Sequence, residues 1–164
     1  MTTKEKNIFN YGKIVGILET MARFNDKTNH SYHFELTKFP KIESIQKSLP
    51  DSIGNVATSF NLNEIDVRNG SDVFFKLFYD WFYQYQDKNG IHLEDNKQNF
   101  SLYFDSWKKE WMEDFVDLML ETIEPKKIHK IEYVGLEGYY ASVYDEFILE
   151  CDNEIYYLNL QVTD

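Results

Sequence analysis

Cysteine occurs once in these 164 residues, at Cys151, so no intrachain disulfide can form, and a reducing compartment is the expected home. Three prolines and seven glycines leave little material for linkers. One domain over residues 1–164 is therefore expected, a usual size for a single core. No apolar stretch approaches the ~20 residues that cross a bilayer. The opening Met1-Thr-Thr-Lys-Glu-Lys-Asn lacks the hydrophobic run of a secretory signal. A soluble, cytoplasmic protein is the expectation. Also missing are a G-x-G-x-x-G fingerprint, a P-loop, a nucleophile elbow and H-E-x-x-H, so none of the chemistries those motifs carry is indicated.

The most telling absence is cationic. No Lys or Arg follows Lys130, whereas eight acids do: Glu132, Glu137, Asp145, Glu146, Glu150, Asp152, Glu154 and Asp164. Residues 1–90 balance 11 acids against 11 bases, and residues 91–164 hold 17 against 6, which is the whole net charge of −11. Like charges on one surface repel and oppose compaction. A basic partner would relieve that repulsion, whereas nucleic acid and anionic lipid, which need positive charge, are disfavoured.

What is present is a foldable, aromatic-rich chain. Hydrophobic residues make up 43% and aromatic residues 17%, too much for a disordered acidic tail, and the core is expected to be built from rings. A first helix is predicted over about 5–24 from Ile8, Tyr11, Val15, Leu18 and Ala22. The polar run 25–31 reads as a loop, and a short helix fits between Pro40 and Pro50. Residues 51–70 are ambiguous. A helix over about 72–88, capped by Ser71 and closed at Gly90, carries most of the eight aromatics between Phe74 and Tyr85, which read as core. A long helix over about 96–123 has Phe104, Trp107, Trp111, Phe115, Leu118 and Thr122 on its inner face and stops at Pro125. The period then changes from 3.6 to 2, predicting strands at 129–134, 142–151 and 154–163 with a turn at Asp152-Asn153. The expected fold is α+β: a helical N-terminal two thirds, about 5–123, then a small antiparallel sheet of about three strands, 129–163.

Two surfaces stand out. Glu110, Asp114, Asp117, Glu121 and Glu124 recur at helical spacing and form one stripe, about one carboxylate per ~5.4 Å turn. Such a row is also what a solvated helix face looks like, although those usually mix Glu with Lys. On the hairpin, with Phe147, Leu149, Tyr156, Leu158 and Leu160 facing inward, Tyr144, Glu146, Ile148, Glu150, Ile155 and Tyr157 share the other face. If exposed, Tyr144, Glu146, Glu150 and Tyr157 would suit a cationic partner; if covered, Ile148 and Ile155 are core. Asp145 falls on the apolar face and needs a partner there.

Signals for chemistry are weak. His30 and His33 form H-x-x-H, short of the three or four ligands of a zinc site. His92 and His129 stand alone. Cys151 has no neighbouring cation to lower its pKa and reads as a buried thiol. Glu124-Pro125-Lys126 resembles a nuclease E-x-K only in letters, because that motif belongs on a strand. Carboxylates adjacent in sequence point apart and make no acid–base pair. No catalytic residue, cofactor or metal is expected.

The run from Tyr144 to Leu160, with its Asn-, Tyr- and Ile-rich vocabulary, resembles the closing hairpin of small acidic counter-defence proteins carried by phages and mobile elements. That group includes anti-CRISPR inhibitors, which occupy basic nucleic-acid channels, and immunity proteins that block basic toxins. The resemblance implies a non-enzymatic inhibitor docking on a basic, nucleic-acid-binding surface, and it transfers no site residue. An antitoxin-like role and a small enzyme with an unrecognised carboxylate site are the alternatives. The charge balance makes one expectation independent of fold: the isolated protein binds neither DNA nor RNA at physiological salt. A gel-shift assay giving sub-micromolar binding would contradict it.

Overall fold

The structure, a computed structural model, describes residues 2–26, 30–49, 57–82, 105–136, 138 and 140–164. Helix α1 (Thr3–Asn25) opens with a capping box, in which the Thr2 side chain accepts from Glu5 N–H and Glu5 reaches back to Thr2 N–H. Strand β1 (Ser31–Pro40) follows, then a single turn α2 (Ile45–Ser48), strand β2 (Ala57–Ile65) and a 3-10 turn at Val67–Asn69. Helix α3 (Gly70–Trp81) and the long helix α4 (Asp105–Ile123) precede strands β3 (Lys127–Leu136), β4 (Val143–Glu150) and β5 (Glu154–Thr163).

The strands form one sheet in the order β1-β5-β4-β3-β2, every neighbouring pair antiparallel. This corrects the expected architecture. The sheet has five strands, not about three, and the first two thirds are not wholly helical, because β1 and β2 lie there. The α+β class stands. Both additional strands are sheet edges whose partners lie far along the chain: Ser31 pairs with Thr163 and Ala57 with Leu136. The hairpin at Asp152-Asn153 forms as predicted, with Cys151 N–H donating to Glu154 C=O at 2.9 Å. The start of α3 moves to Gly70, with Asn69 as N-cap rather than Ser71. Gly70 is required for packing, because a Cβ there would lie 2.8 Å from Ile128 Cδ1. α3 also ends earlier than the predicted 88, at Trp81, with Phe82 as an extended C-cap; residues 83–104, with Gly90 and His92, lie outside the described residues.

Helices α1, α3 and α4 cover one face of the sheet. Their core is aromatic. Phe34 of β1 meets Trp81 edge-on at 5.6 Å and stacks on Phe82 at 5.7 Å. Phe78 meets Phe115 of α4 at 4.9 Å, and Phe74 meets Phe147 of β4 at 5.4 Å. Each buried ring contributes a few kcal/mol of transfer free energy, about 1.5–3, so this cluster holds the helices on the sheet. The opposite face is covered over its centre by Ile45 and Leu49, which pack with Ile131, Ile148, Ile155 and Tyr157. Ser44 caps α2 and Ser48 Oγ accepts from Ile42 N–H at 2.8 Å, which holds that covering turn in shape.

Asp145, the acid on the apolar face, has two partners. Trp81 Nε1–H donates to its Oδ2 at 2.9 Å, and the Lys130 ammonium lies 2.8 Å from Oδ1. Asn25 Nδ2 in turn donates to the Trp81 carbonyl at 2.7 Å. This chain of polar contacts joins the ends of α1 and α3 to β4 and β3. Replacing Asp145 by Ala leaves an indole N–H unpaired beside the core and is expected to cost about 1–3 kcal/mol in urea unfolding. The W81F/D145A double variant should lose less than the sum of the two single losses; strict additivity would mean that the contact contributes nothing.

Candidate functional site

The acidic stripe lies where the spacing placed it. On α4, Met112, Phe115, Val116, Met119, Thr122 and Ile123 are buried, and Glu110, Asp114, Asp117 and Glu121 project from the opposite, exposed ridge. Glu124 continues the ridge past the helix end and is exposed in a left-handed conformation, φ 49°. None of these five carboxylates forms an ion pair among the described residues. The cations just before the ridge are engaged elsewhere. Lys108 donates to the Tyr79 carbonyl at 3.3 Å and sits 3.8 Å from the Tyr79 ring centre, and Lys109 pairs with Glu113 at 3.7 Å.

The end of this ridge is where negative charge is least favourable. The C-terminal turn of a helix carries about half a unit of negative partial charge, and the last turn of α4 has no basic residue. Beside it is a shallow recess of about 340 Å³ lined by Glu124, Asp152 and Glu154, with Lys126 as the one cation lining it. Cys151 also lines it, and its thiol donates to the Ile123 carbonyl at 3.1 Å. Burial, then the charges of Glu154 and Asp152, push that thiol up to about 11. It is a poor nucleophile, as the sequence indicated.

The second predicted surface is not an exposed patch. Ile148, Ile155, Tyr157 and Glu146 are buried, so Glu146 and Tyr157 are interior residues and not partner contacts; Tyr144 and Glu150 are half-buried. The reason is the covering turn at 41–49, which the hairpin sequence does not reveal. Glu146 is wholly buried, and no cation among the described residues pairs with it. The Tyr133 hydroxyl donates to one of its oxygens at 2.5 Å and the Tyr140 hydroxyl to the other. Tyr133, Tyr140 and Tyr144 pack around it with ring centres 5.3–5.7 Å apart. Burial, and then hydrogen bonding to Glu146, raise the Tyr133 and Tyr140 phenols well above their ordinary range. They remain protonated donors at physiological pH.

Glu150 is held differently. Lys41 Nζ lies 2.7 Å from one carboxylate oxygen, and His129 Nε2 lies 3.3 Å from the other. Burial pushes its pKa up, but Lys41 and His129 together outweigh burial and leave it below 4.5. His30 contacts Asp164 at 2.8 Å, and His33 is exposed three residues along the same strand, on the opposite face. Among the described residues, no three His, Cys, Asp or Glu side chains converge to hold a metal. No helix there is long and apolar enough to cross a membrane. Sequence reasoning missed two features: the phenol-bound Glu146 and the Glu150–Lys41–His129 cluster. Both depend on residues outside the hairpin.

No protein-family model, curated protein or solved structure matches this chain.

The lowered pKa of Glu150 fixes a sign. A carboxylate that ionises more readily in the folded state adds stability above its unfolded value of about 4.5 and loses it as pH falls through the folded value. Glu150→Gln should therefore lower stability near neutral pH by about 1–3 kcal/mol. The gap to the parent protein should narrow as the pH drops well below 4.5. Urea midpoints that differ equally at both pH values would rule out the electrostatic origin.

Proposed function

We propose that the protein is a non-enzymatic inhibitor whose α4 ridge docks into a basic, nucleic-acid-binding cleft of another protein, in the manner of anti-CRISPR proteins. The observation that carries this reading is the row Glu110, Asp114, Asp117, Glu121 and Glu124: exposed, without ion pairs among the described residues, and ending at the negative pole of its own helix. Each like-charge pair four residues apart costs a few tenths of a kcal/mol, and acids at a helix C-terminus oppose the macrodipole. A basic cleft removes both costs. The ridge extends over roughly 20 Å at 1.5 Å per residue, long enough to meet several phosphate-binding side chains. Asp152 at the adjacent recess lengthens the same anionic surface. Docking by such a surface is governed by encounter, since exposed charges steer association more than they hold a complex.

The test compares two charge reversals of equal size. Changing Glu110, Asp114, Asp117 and Glu121 to Lys shifts the net charge by +8, as does changing Glu19, Asp72, Asp80 and Glu132, four exposed acids away from α4 that form no ion pair among the described residues. Glu5, Asp26 and Glu43 are unsuitable controls, since Glu5 completes the α1 capping box, Asp26 accepts from Tyr32 N–H at 2.8 Å and Glu43 pairs with Lys47. The readout is protection of DNA from basic RNA-guided nucleases and nuclease toxins by added protein. The α4 set should abolish protection, mainly through a slower association rate that added salt mimics. The control set should leave it nearly intact. Equal losses, with both variants folded by circular dichroism, would reduce the ridge to a solvated helix face.

A further inference from the structure

On the face of the sheet opposite the helices, the register brings six polar side chains into two adjacent rows. Asn159 of β5 lies between Glu35 of β1 and Glu146 of β4, and Gln161 lies between His33 and Tyr144. Cross-strand neighbours on one face stand about 4.5–5.5 Å apart, so the six share a patch about 10 Å wide. Its outer margin is open, because His33 and Glu35 are exposed, and its floor is buried, with Asn159 only 7% accessible. Among the described residues no donor reaches Asn159 Oδ1 or Gln161 Oε1, although both atoms are shielded from solvent. A buried carbonyl oxygen left without a donor is destabilising, and here two such oxygens lie in adjacent rows beside two carboxylates. The Tyr133 and Tyr140 hydroxyls donate to Glu146 and do not serve the two amide oxygens. Tyr140 and Tyr144, both half-buried, place ring faces at its inner end.

We propose that this patch is a binding site for a guanidinium group, held between Asn159 Oδ1, Gln161 Oε1 and the Glu35 carboxylate, with Glu146 and the tyrosine rings behind it. A guanidinium offers five N–H donors in one plane and no acceptor. It can therefore reach oxygens on three sides and also stack on an aromatic face. An ammonium group is a compact point charge and serves such a spread of acceptors less well. The site is separate from the α4 ridge and stands whether or not that helix meets a partner.

Agmatine is the probe, titrated at constant ionic strength while the side-chain amide signals of Asn159 and Gln161 are followed by NMR. Both signals should move to saturation. The N159L variant should bind at least about tenfold more weakly, and its melting temperature should stay level or rise, because a buried oxygen without a donor has been removed. Glu35→Gln, at an exposed side chain, should also weaken binding, and it decides the matter if N159L does not fold. Shifts that fail to saturate, that sodium chloride reproduces, or that n-butylamine produces at equal concentration would overturn the assignment. So would saturation by magnesium alone, or unchanged affinity in Glu35→Gln.

Discussion

The hairpin of β4 and β5 is buried on both faces, and most of the architecture follows from that. Phe147, Leu149, Leu158 and Leu160 face the helices, while Ile148, Ile155 and Tyr157 face the turn at 41–49. A sheet with two apolar faces needs two covers. The three helices supply one, bound by the ring cluster around Phe34, Phe78 and Phe115. The segment after β1 supplies the other, and it can reach that face because β1 pairs with β5 along Ser31–Pro40 and delivers the chain across the edge. Each carboxylate on β4 then finds a partner within the protein. Asp145 has Trp81 and Lys130, Glu146 has two phenols, and Glu150 has Lys41 and His129.

This ordering explains which features were legible in the sequence. Helix α1, helix α4 and the β4–β5 hairpin carry strong local periods and form where those periods place them. The buried side of α4 nevertheless turns to Met112, Val116 and Met119, which leaves Trp111 and Leu118 half-buried, and Ile8 of α1 is exposed. β1 alternates as cleanly as any strand, with Tyr32, Phe34 and Leu36 inward and His33 and Glu35 outward. Yet three apolar residues between polar ones make a faint signal, and the partner that fixes them as a strand lies at the far end of the chain. β2, with Asn61 and Asn63 alternating with Phe60 and Leu62, is fainter still. The burial of Ile148 and Ile155 is likewise not a local property. Alternation says which residues share a face, and only the tertiary cover says whether that face is wet.

The charge asymmetry also divides once the fold is known. Several acids after Lys130 are structural: Asp145 and Glu150 are paired with cations, Glu146 is buried and accepts from two hydroxyls, and Glu154 pairs with Lys38 at 2.7 Å. They count toward the net charge but project little field, since a carboxylate beside an ammonium is nearly cancelled a few ångströms away. Among the described acids after residue 105, most of those without a cationic partner lie on α4 and at Glu124 just after it. The chain-wide excess therefore overstates how diffuse the anionic character is.

Stability does not require that concentration. The inner face of α4 buries Met112, Phe115, Val116 and Met119, each contributing about 1.5–3 kcal/mol. Like-charge pairs on the outer face subtract only a few tenths each, and the macrodipole conflict at Glu121 and Glu124 less than about 1 kcal/mol. The helix would be firmer with lysines among those acids, and a mixed face of the same net charge would keep the protein soluble equally well. A single-sign ridge adds one thing that a mixed face does not. Its charges sum rather than cancel, so the potential remains appreciable near the ~8 Å screening length at physiological salt. A field with that reach acts on an approaching cationic surface before contact, which is the property that the proposed docking uses.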